Sequence, residues 1–397
     1  MKILVANYAR ELIGGIEAYL HAAVPALAAR GHRVAFLYER VLSAEPAALG
    51  CEQEWTAGTG AASLHAAISA ARGWKPDCIW FHGVHSRELE SALLALAPVS
   101  AFVHSYDGTC ATGEKSFRLP SQRPCDRRMG PLCWANNFSR QCGLRRPDHF
   151  AAQYRRQRQR AAALAGCRSL AVASRHMAAE LQRQLAHRAP PIAVLPFPLL
   201  QARAPELPRR DDPPRRLLML SRLTRAKGGA ALLQAAALAQ PRLAERLEIT
   251  IAGDGPELPL LRSLAWRKQL DVHFPGWVLP MHRAELLANA DVLVVPSLWP
   301  EPFGLVGLEA QAQAVPAVAF DLGGIPEWLR PGVTGELAPA HPPKPEALAE
   351  ALVRALGDRD HWQALRRQAW EHAGECQIGP HLDRVEAMLS GAEAAHA

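Results

Sequence analysis

The sequence predicts an α/β protein made of two parallel-sheet domains. Three observations carry this reading. Short apolar runs alternate with helical stretches, first from Ile3–Asn7 and again from Leu217–Leu220. A polar, proline-rich stretch, Gln201 to Arg216, divides the two series and reads as a linker. In both series the strands run into loops rich in glycine, histidine or charge, at the edge where an open parallel sheet binds its ligands.

The bulk properties agree. A chain of 397 residues suggests two or three domains, and 49% apolar residues suffice for full cores. The longest apolar runs fall well short of the roughly 18 residues needed to cross a bilayer. Met1–Lys2 leads straight into a core strand without the parts of a signal peptide, which points to the cytoplasm. Eight cysteines then read as thiols or metal ligands sooner than as disulfides. The net charge of +7 is unevenly spread. Thirteen Lys/Arg stand against three Asp/Glu between Glu114 and Arg168, a basic field that attracts anions. Its candidate partners are anionic lipid head groups and nucleic acid, with a merely solvated basic face as the plain alternative.

In the first series, Ile3–Asn7 is a strand, Gly14–Gly15 a loop, and a helix from Glu17 runs to about Ala29. Val34–Leu37 completes a βαβ unit. Two glycines permit a phosphate or sugar to approach the backbone, or make only a tight turn. Strands Cys78–Phe81 and Val99–Val103 end in His82-Gly83-Val84-His85 and His104-Ser105-Tyr106-Asp107, two histidine clusters at the functional edge. Cys110, Cys125, Cys133 and Cys142 punctuate an arginine- and proline-rich loop with gaps of fourteen, seven and eight residues. These gaps lack the tight C-x2-C pairs of zinc sites, so free thiols, a bound metal and a disulfide all stay open. His149–Ala165 reads as a helix whose Arg155, Arg156, Arg158 and Arg160 form a wide basic surface, with Trp134 and Phe138 upstream. That composition suits an anionic membrane surface. Ser174 is a plausible N-cap after strand Ser169–Ala173, and Ile192–Leu195 is the next strand.

In the second series, strand Leu217–Leu220 is followed by a loop that holds Arg222 and Lys227. Two cations beside a helix start suit a diphosphate, and an exposed basic turn is the alternative. Ile249–Ala252 runs into Gly253-Asp254-Gly255-Pro256-Glu257, whose glycines read as a tight turn beside a nucleotide. After Val272–Pro275 come Gly276-Trp277-Val278; Trp277 reads either as a stacking platform for a base or as packed against a helix. Strand Val292–Val295 then enters Pro296 to Glu327. There Glu301 lies in a turn between two prolines, and Glu309 on the helix that follows Phe303–Gly304. A loop carboxylate can accept hydrogen bonds from sugar hydroxyls, one on the helix can reach a ribose, and the helix start favours an anion. The combination suggests a nucleotide sugar.

These segments resemble glycosyltransferase family 4, retaining transferases of the two-domain GT-B fold. The matching motifs are GG.E (Gly14, Gly15, Glu17), the H..D of His104 and Asp107, RL…KG (Arg222, Lys227), GDGPE, F.G.V, and PS…EPFGL…LEA with Glu301 and Glu309. Ser221 stands in place of the family's first glycine, and Pro196-Phe197-Pro198 lacks its asparagine. The resemblance implies a GT-B architecture of two Rossmann-like domains. It places an acceptor-binding domain at 1–200 with an insert at about 106–148, a linker at 201–215, a nucleotide-sugar domain at 216–375 and a last segment, 376–397, packing back on the first domain.

The activity implied is retaining, metal-independent transfer from a UDP-, GDP- or ADP-sugar to a hydroxyl of a glycan or lipid-linked acceptor. No cofactor is required, and a structural metal at the four cysteines is the exception left open. His104, Glu301, Arg222 and Lys227 would act in catalysis, with His82 a second histidine near the donor. Gly14, Gly15, Gly253, Val278, Phe303, Gly304, Leu305 and Glu309 would join Arg222, Lys227 and Glu301 around the donor. The protein is expected in the cytoplasm, peripheral to the inner face of an anionic membrane, without a nucleic-acid partner. Rival readings are a non-catalytic GT-B partner subunit, a nucleotide-sugar epimerase of the same fold and a basic nucleic-acid binder.

Overall fold

The computed structural model describes residues 1–12, 14–41, 49–143 and 146–392. Parts of the expected insert (144 and 145) and of the expected C-terminal segment (393–397) lie outside the described residues. The first domain holds β1 (Lys2–Ala9), β2 (Arg33–Arg40), β3 (Gln53–Thr56), β4 (Cys78–Phe81), β5 (Val99–Val103), the short β6 (Ser116–Phe117) and β7 (Arg123–Pro124), then β8 (Ser169–Val172) and β9 (Ile192–Val194). Seven of these form one parallel sheet in the order β3-β2-β1-β4-β5-β8-β9. The second domain holds β10 (Arg216–Leu220), β11 (Glu248–Ala252), β12 (Asp271–Gly276), β13 (Val292–Val295), β14 (Ala317–Phe320) and β15 (Gly335–Ala338). They form a second parallel sheet, β12-β11-β10-β13-β14-β15.

The strands look as they do because helices cover both faces of each sheet, so nearly every position must be apolar. Cys78–Phe81, Val99–Val103, Val292–Val295 and Ala317–Phe320 are buried at every residue. In both sheets the strand order reverses beside the first strand, between β1 and β4 and between β10 and β13. That switch opens a crevice at the strands' C-terminal ends. The loops after β1, β4, β10 and β13 therefore carry the candidate site.

One apolar cluster runs through both domains. It joins Tyr19, Phe102 and Phe197 of the first to Phe303, Leu308 and Trp328 of the second. The helix Ile378–Ser390 adds Leu382, Val385 and Leu389 to the same cluster, so it packs on the first domain. Its His381 accepts the Tyr19 hydroxyl at 2.6 Å through Nε2, because its Nδ1–H is committed to the Pro196 carbonyl at 3.0 Å. Arg30 binds Asp383 of this helix at 2.7 Å.

The insert after β5 builds on the two-stranded β6–β7 hairpin and the helix Leu132–Ser139. Here the basic field is partly spent internally. Lys115 is buried, with Nζ 2.6 Å from Glu180 and donating to the Arg127 carbonyl at 2.7 Å. Arg160 departs from the surface expected of it. It pairs with Glu90, donates to the Val84 carbonyl and lies over the Phe81 ring. Its position on the helix Pro147–Ala165 faces the neighbouring helix Arg87–Leu94 rather than solvent. The four insert cysteines are free thiols. Burial pushes Cys125 up to about 11 and Cys142 up to about 12. Among the described residues, no three His, Cys, Asp or Glu side chains gather as a metal site, and no helix is long and apolar enough to cross a membrane.

Candidate functional site

The site is built on the loop after β13. Glu301 lies in the turn Pro300-Glu301-Pro302, and its Oε1 accepts three hydrogen bonds. Lys227 Nζ donates at 2.7 Å, Ser297 Oγ at 2.5 Å and Trp299 Nε1 at 3.1 Å. Lys227 also lies over the Trp299 ring, 5.3 Å from its centroid. It comes from the loop after β10, so the neighbouring strands of the switch point bring the two residues together across 74 positions of sequence. Gly228 permits this closeness. It has φ +74°, and a Cβ there would sit 1.8 Å from the Pro296 carbonyl oxygen. The two loops are also tied by the Leu298 N–H, which donates to the Ala226 carbonyl at 2.7 Å.

The backbone around Glu301 is held at three successive carbonyls. The Pro300 carbonyl accepts the Tyr106 hydroxyl at 2.8 Å, that of Glu301 the Gly324 N–H at 2.6 Å, and that of Pro302 the Ser174 hydroxyl at 2.7 Å. Tyr106 and Ser174 belong to the first domain, so both domains fix the turn. Tyr106 is a neutral donor, since burial raises its pKa well above that of a free phenol. Its oxygen in turn accepts from His176 Nε2 at 2.8 Å. Ser174 also caps its own helix by accepting the Met177 N–H at 3.2 Å. A Tyr106→Phe change would leave a buried carbonyl and an imidazole N–H unpaired. The expected cost is about 1–3 kcal/mol of stability, read as a lower urea midpoint, with a loosened Glu301 turn.

Glu309 lies on the short helix Val306–Ala312 and forms a 2.5 Å ion pair with Arg283 of the helix Pro280–Asn289. Burial raises its pKa, and Arg283 opposes that shift. Arg222 is exposed, and its side chain has no partner among the described residues. Between Phe303 and the helix, no described group accepts the N–H of Gly304, Leu305 or Val306. Gly304 turns the chain there at φ +95°, against the Trp328 indole.

Other expected site residues lie differently. Phe303 is 3% exposed, and its ring meets Phe197 edge-on at 5.4 Å, so it belongs to the interdomain core and not to a ligand surface. The glycines of the 253–255 loop serve loop packing. A Cβ on Gly253 would lie 1.8 Å from the Ser221 carbonyl, and one on Gly255 would lie 2.4 Å from that of Leu223. They thus support the Arg222 loop from beneath. Val278 is partly buried just beyond β12, and Trp277 is 67% exposed, which removes the reading of it as packed against a helix. Gly14 stands at the N-cap of Gly15–Ala29, and Gly15 faces Leu305 of the second domain. A Cβ on Gly15 would meet Leu305 at 2.8 Å.

Among the described residues, His104 has no hydrogen bond or ring contact with Lys227 or Glu301. Its Nε2 is hydrogen-bonded to His82 Nδ1 at 2.8 Å, and its ring stacks on Phe102 and Phe197. His104 Nδ1 and His82 Nε2 are buried, with no hydrogen-bond partner among the described residues. Burial lowers the His104 pKa to about 3 and holds that of His82 well below its ordinary value. Burial also lowers His381, to about 4. These folded-state values lie below the unfolded value of about 6.5. The unfolded chain therefore takes up protons first as pH falls. The expected stability is full above about pH 6.5 and declines toward pH 4, by up to about 1.4 kcal/mol per pH unit for each ring. Melting temperatures at constant ionic strength check this, and a flat profile from pH 7 to 5 would show that the rings are not held neutral.

Residues 203–372 match the family described as glycosyl transferases group 1. The match spans most of the second domain, so this domain is similar to the glycosyl transferases group 1. Curated relatives align over part of their length. An uncharacterised glycosyltransferase of Methanocaldococcus jannaschii is 34% identical over 152 residues, 37% of each chain. A D-inositol 3-phosphate glycosyltransferase of Kribbella flavida is 36% identical over 168 residues, 40% of this chain and 39% of its own. A phosphatidyl-myo-inositol mannosyltransferase of Mycobacterium tuberculosis is 30% identical over 197 residues, 47% of this chain and 51% of its own. The chain thus spans about half or less of the length of these curated relatives. Solved structures match over nearly the whole chain. Sucrose-phosphate synthase from Thermosynechococcus elongatus has TM-score 0.71 and 20% identity, covering 100% of both chains. HepE of Anabaena, solved with UDP and glucose, has TM-score 0.66 and 18% identity, covering 98% of this chain and 99% of its own. These likenesses show the GT-B fold.

Proposed function

We propose that the protein is a retaining glycosyltransferase that moves a sugar from a nucleotide-sugar donor to a hydroxyl of a glycan or lipid-linked acceptor. The observation that carries this reading is the Lys227–Glu301 pair at the switch point, 2.7 Å apart. Arg222 lies on the same loop as Lys227, and the unaccepted N–H groups of Gly304–Val306 follow Glu301 on its own loop. A donor diphosphate entering this crevice takes Lys227 and Arg222 as its counter-charges. Glu301, held by Ser297 and Trp299, is left to accept a hydroxyl of the sugar. Glu309, beside Arg283, accepts the ribose hydroxyls. In the transfer step the bond from the anomeric carbon to the diphosphate oxygen breaks. The acceptor oxygen bonds to that carbon on the same face, and its proton passes to the departing diphosphate. Fixed cations are worth most where that charge builds, in a crevice closed to water. This assigns charge stabilisation to side chains and peptide N–H groups, a role a metal fills in other transferases.

The complexes and names of similar proteins support the reading. HepE was solved with UDP and glucose, and the mycobacterial relative is named for a phosphatidyl-inositol acceptor. The exposed arginines of Pro147–Ala165 support a peripheral place on an anionic membrane facing the cytoplasm.

Thermal shift against UDP, GDP and ADP, followed by turnover of the matching sugar nucleotides, tests the proposal. The bound product raises the melting temperature by mass action, by about 2.7 kcal/mol of stability at a hundredfold excess over Kd. Glu309→Ala is expected to abolish turnover, chelator to leave it unchanged, and NMR to find the donor's anomeric configuration in the product. A protein that binds a nucleotide yet neither transfers nor hydrolyses any sugar donor would instead be a non-catalytic partner subunit. Sugar-nucleotide isomers formed without acceptor would mark an epimerase.

A further inference from the structure

The structure assigns a second anion site to the outer face of the first domain, a cleft of about 560 Å³ lined by Arg128, Arg158 and Arg188. We infer that it takes the phosphate of a phosphorylated polyol, either a soluble sugar phosphate or a phospholipid headgroup.

The three arginines come from three separate elements. Arg128 lies in the insert, Arg158 on the helix Pro147–Ala165, and Arg188 in the turn after the helix Arg175–Leu185. None of the three side chains has a hydrogen bond or ion pair with any described residue, and no acidic residue lines the cleft. This contrasts with their neighbours. Arg160 pairs with Glu90, Arg183 with Glu180 and Arg146 with Asp148. Three guanidinium groups around one opening repel one another unless an anion joins them. Their planar forks match phosphate oxygens two at a time.

The walls are fixed. The Met129 N–H donates to Gln184 Oε1 at 2.9 Å, and Arg183 donates to the Asp126 carbonyl at 2.7 Å. These two bonds tie the insert segment that carries Arg128 to the helix that leads to Arg188. Tyr154 lines the cleft too and is braced by Phe150 and Trp134. The volume falls within the roughly 300–1,000 Å³ of small-molecule sites, so there is room for a polyol beside the phosphate. No lining residue belongs to the Lys227–Glu301 site, so the cleft stands or falls independently of the transfer reaction.

Binding by the full-length protein tests this, in an Arg222→Ala/Lys227→Ala background that silences the other cationic pocket. The probes are glucose 1-phosphate by calorimetry and vesicles of phosphatidylglycerol against phosphatidylcholine by co-sedimentation. Adding Arg128→Gln, Arg158→Gln and Arg188→Gln is expected to weaken binding of one probe roughly tenfold or more. Circular dichroism and melting temperature should hold, because the three side chains are exposed. A charge-matched control, Arg209→Gln with Arg246→Gln and Arg267→Gln, lies outside the cleft and away from the basic helix, and should leave that binding within about twofold. Loss of vesicle binding identifies a lipid headgroup as the source, and loss of glucose 1-phosphate binding a soluble phosphate. Absence of binding to both probes overturns the site. So does equal loss in cleft and control variants, which would reduce the effect to diffuse surface charge.

Discussion

Replacing Lys227 with alanine is expected to lower sugar transfer about a hundred- to a thousandfold at saturating donor, the usual consequence of losing one fixed group that meets charge developing in a transition state. Lys227 is held in place before any substrate arrives. Its ammonium group is partly buried, 2.7 Å from Glu301 and over the Trp299 ring, so its position is set in advance. A leaving diphosphate carries more charge on its bridging oxygen as the sugar departs, and a cation already in place needs no reorganisation to meet it. The same substitution leaves Glu301 with Ser297 and Trp299 as donors. Stability should therefore fall by only about 1–3 kcal/mol. Rate and stability thus separate, which distinguishes a catalytic cation from a structural pair. Lys227→Arg keeps the charge but brings a planar fork into space shaped by Trp299, and should recover part of the loss. Single-turnover rates on the donor, measured with melting curves, decide the matter. A Lys227→Ala protein within tenfold of the wild-type rate would remove Lys227 from the mechanism.

Much of this site was legible in the sequence, for a physical reason. Fully buried parallel strands are nearly unbroken apolar runs, so their ends mark the ligand edge whatever the fold's details. Arg222, Lys227, Glu301 and Glu309 all follow such runs. β3 was not legible, because Gln53–Thr56 is a half-exposed edge strand without an apolar run. The first-domain grip on the Glu301 turn was also hidden. Tyr106 meets a carbonyl 194 residues away, and any residue offers a carbonyl, so nothing in residue type announces the pair. Arg283 is likewise one of many arginines until the fold sets it against Glu309. Phe303 shows the opposite error. Its place in a ligand motif suggested a ligand contact, whereas the closeness of the two domains turns its ring into core. The histidines followed suit: sheet-edge position was readable, but the stacking that shields His104 depends on Phe197, ninety-three residues later.

The largest loss of stability is expected from a single methyl group at Gly228. Two terms act there. The residue sits at φ +74°, where any side chain costs about 1–2 kcal/mol. A Cβ would also lie 1.8 Å from the Pro296 carbonyl oxygen, a backbone atom that cannot swing aside as a side-chain tip could. Relief requires the whole Pro296–Glu301 loop to retreat, which breaks the 2.7 Å bond from Leu298 to Ala226 and parts Lys227 from Glu301. Gly228→Ala should therefore cost about 3–5 kcal/mol in urea unfolding, and the folded remainder should transfer sugar as poorly as Lys227→Ala. Gly31 supplies the control. It has φ +86° with nothing within 4 Å of a Cβ, so Gly31→Ala carries only the conformational term, about 1–2 kcal/mol. The difference between the two variants measures how tightly the loops after β10 and β13 are pressed together. Equal losses would mean that the loops part freely, and that the Lys227–Glu301 contact is not imposed by the backbone.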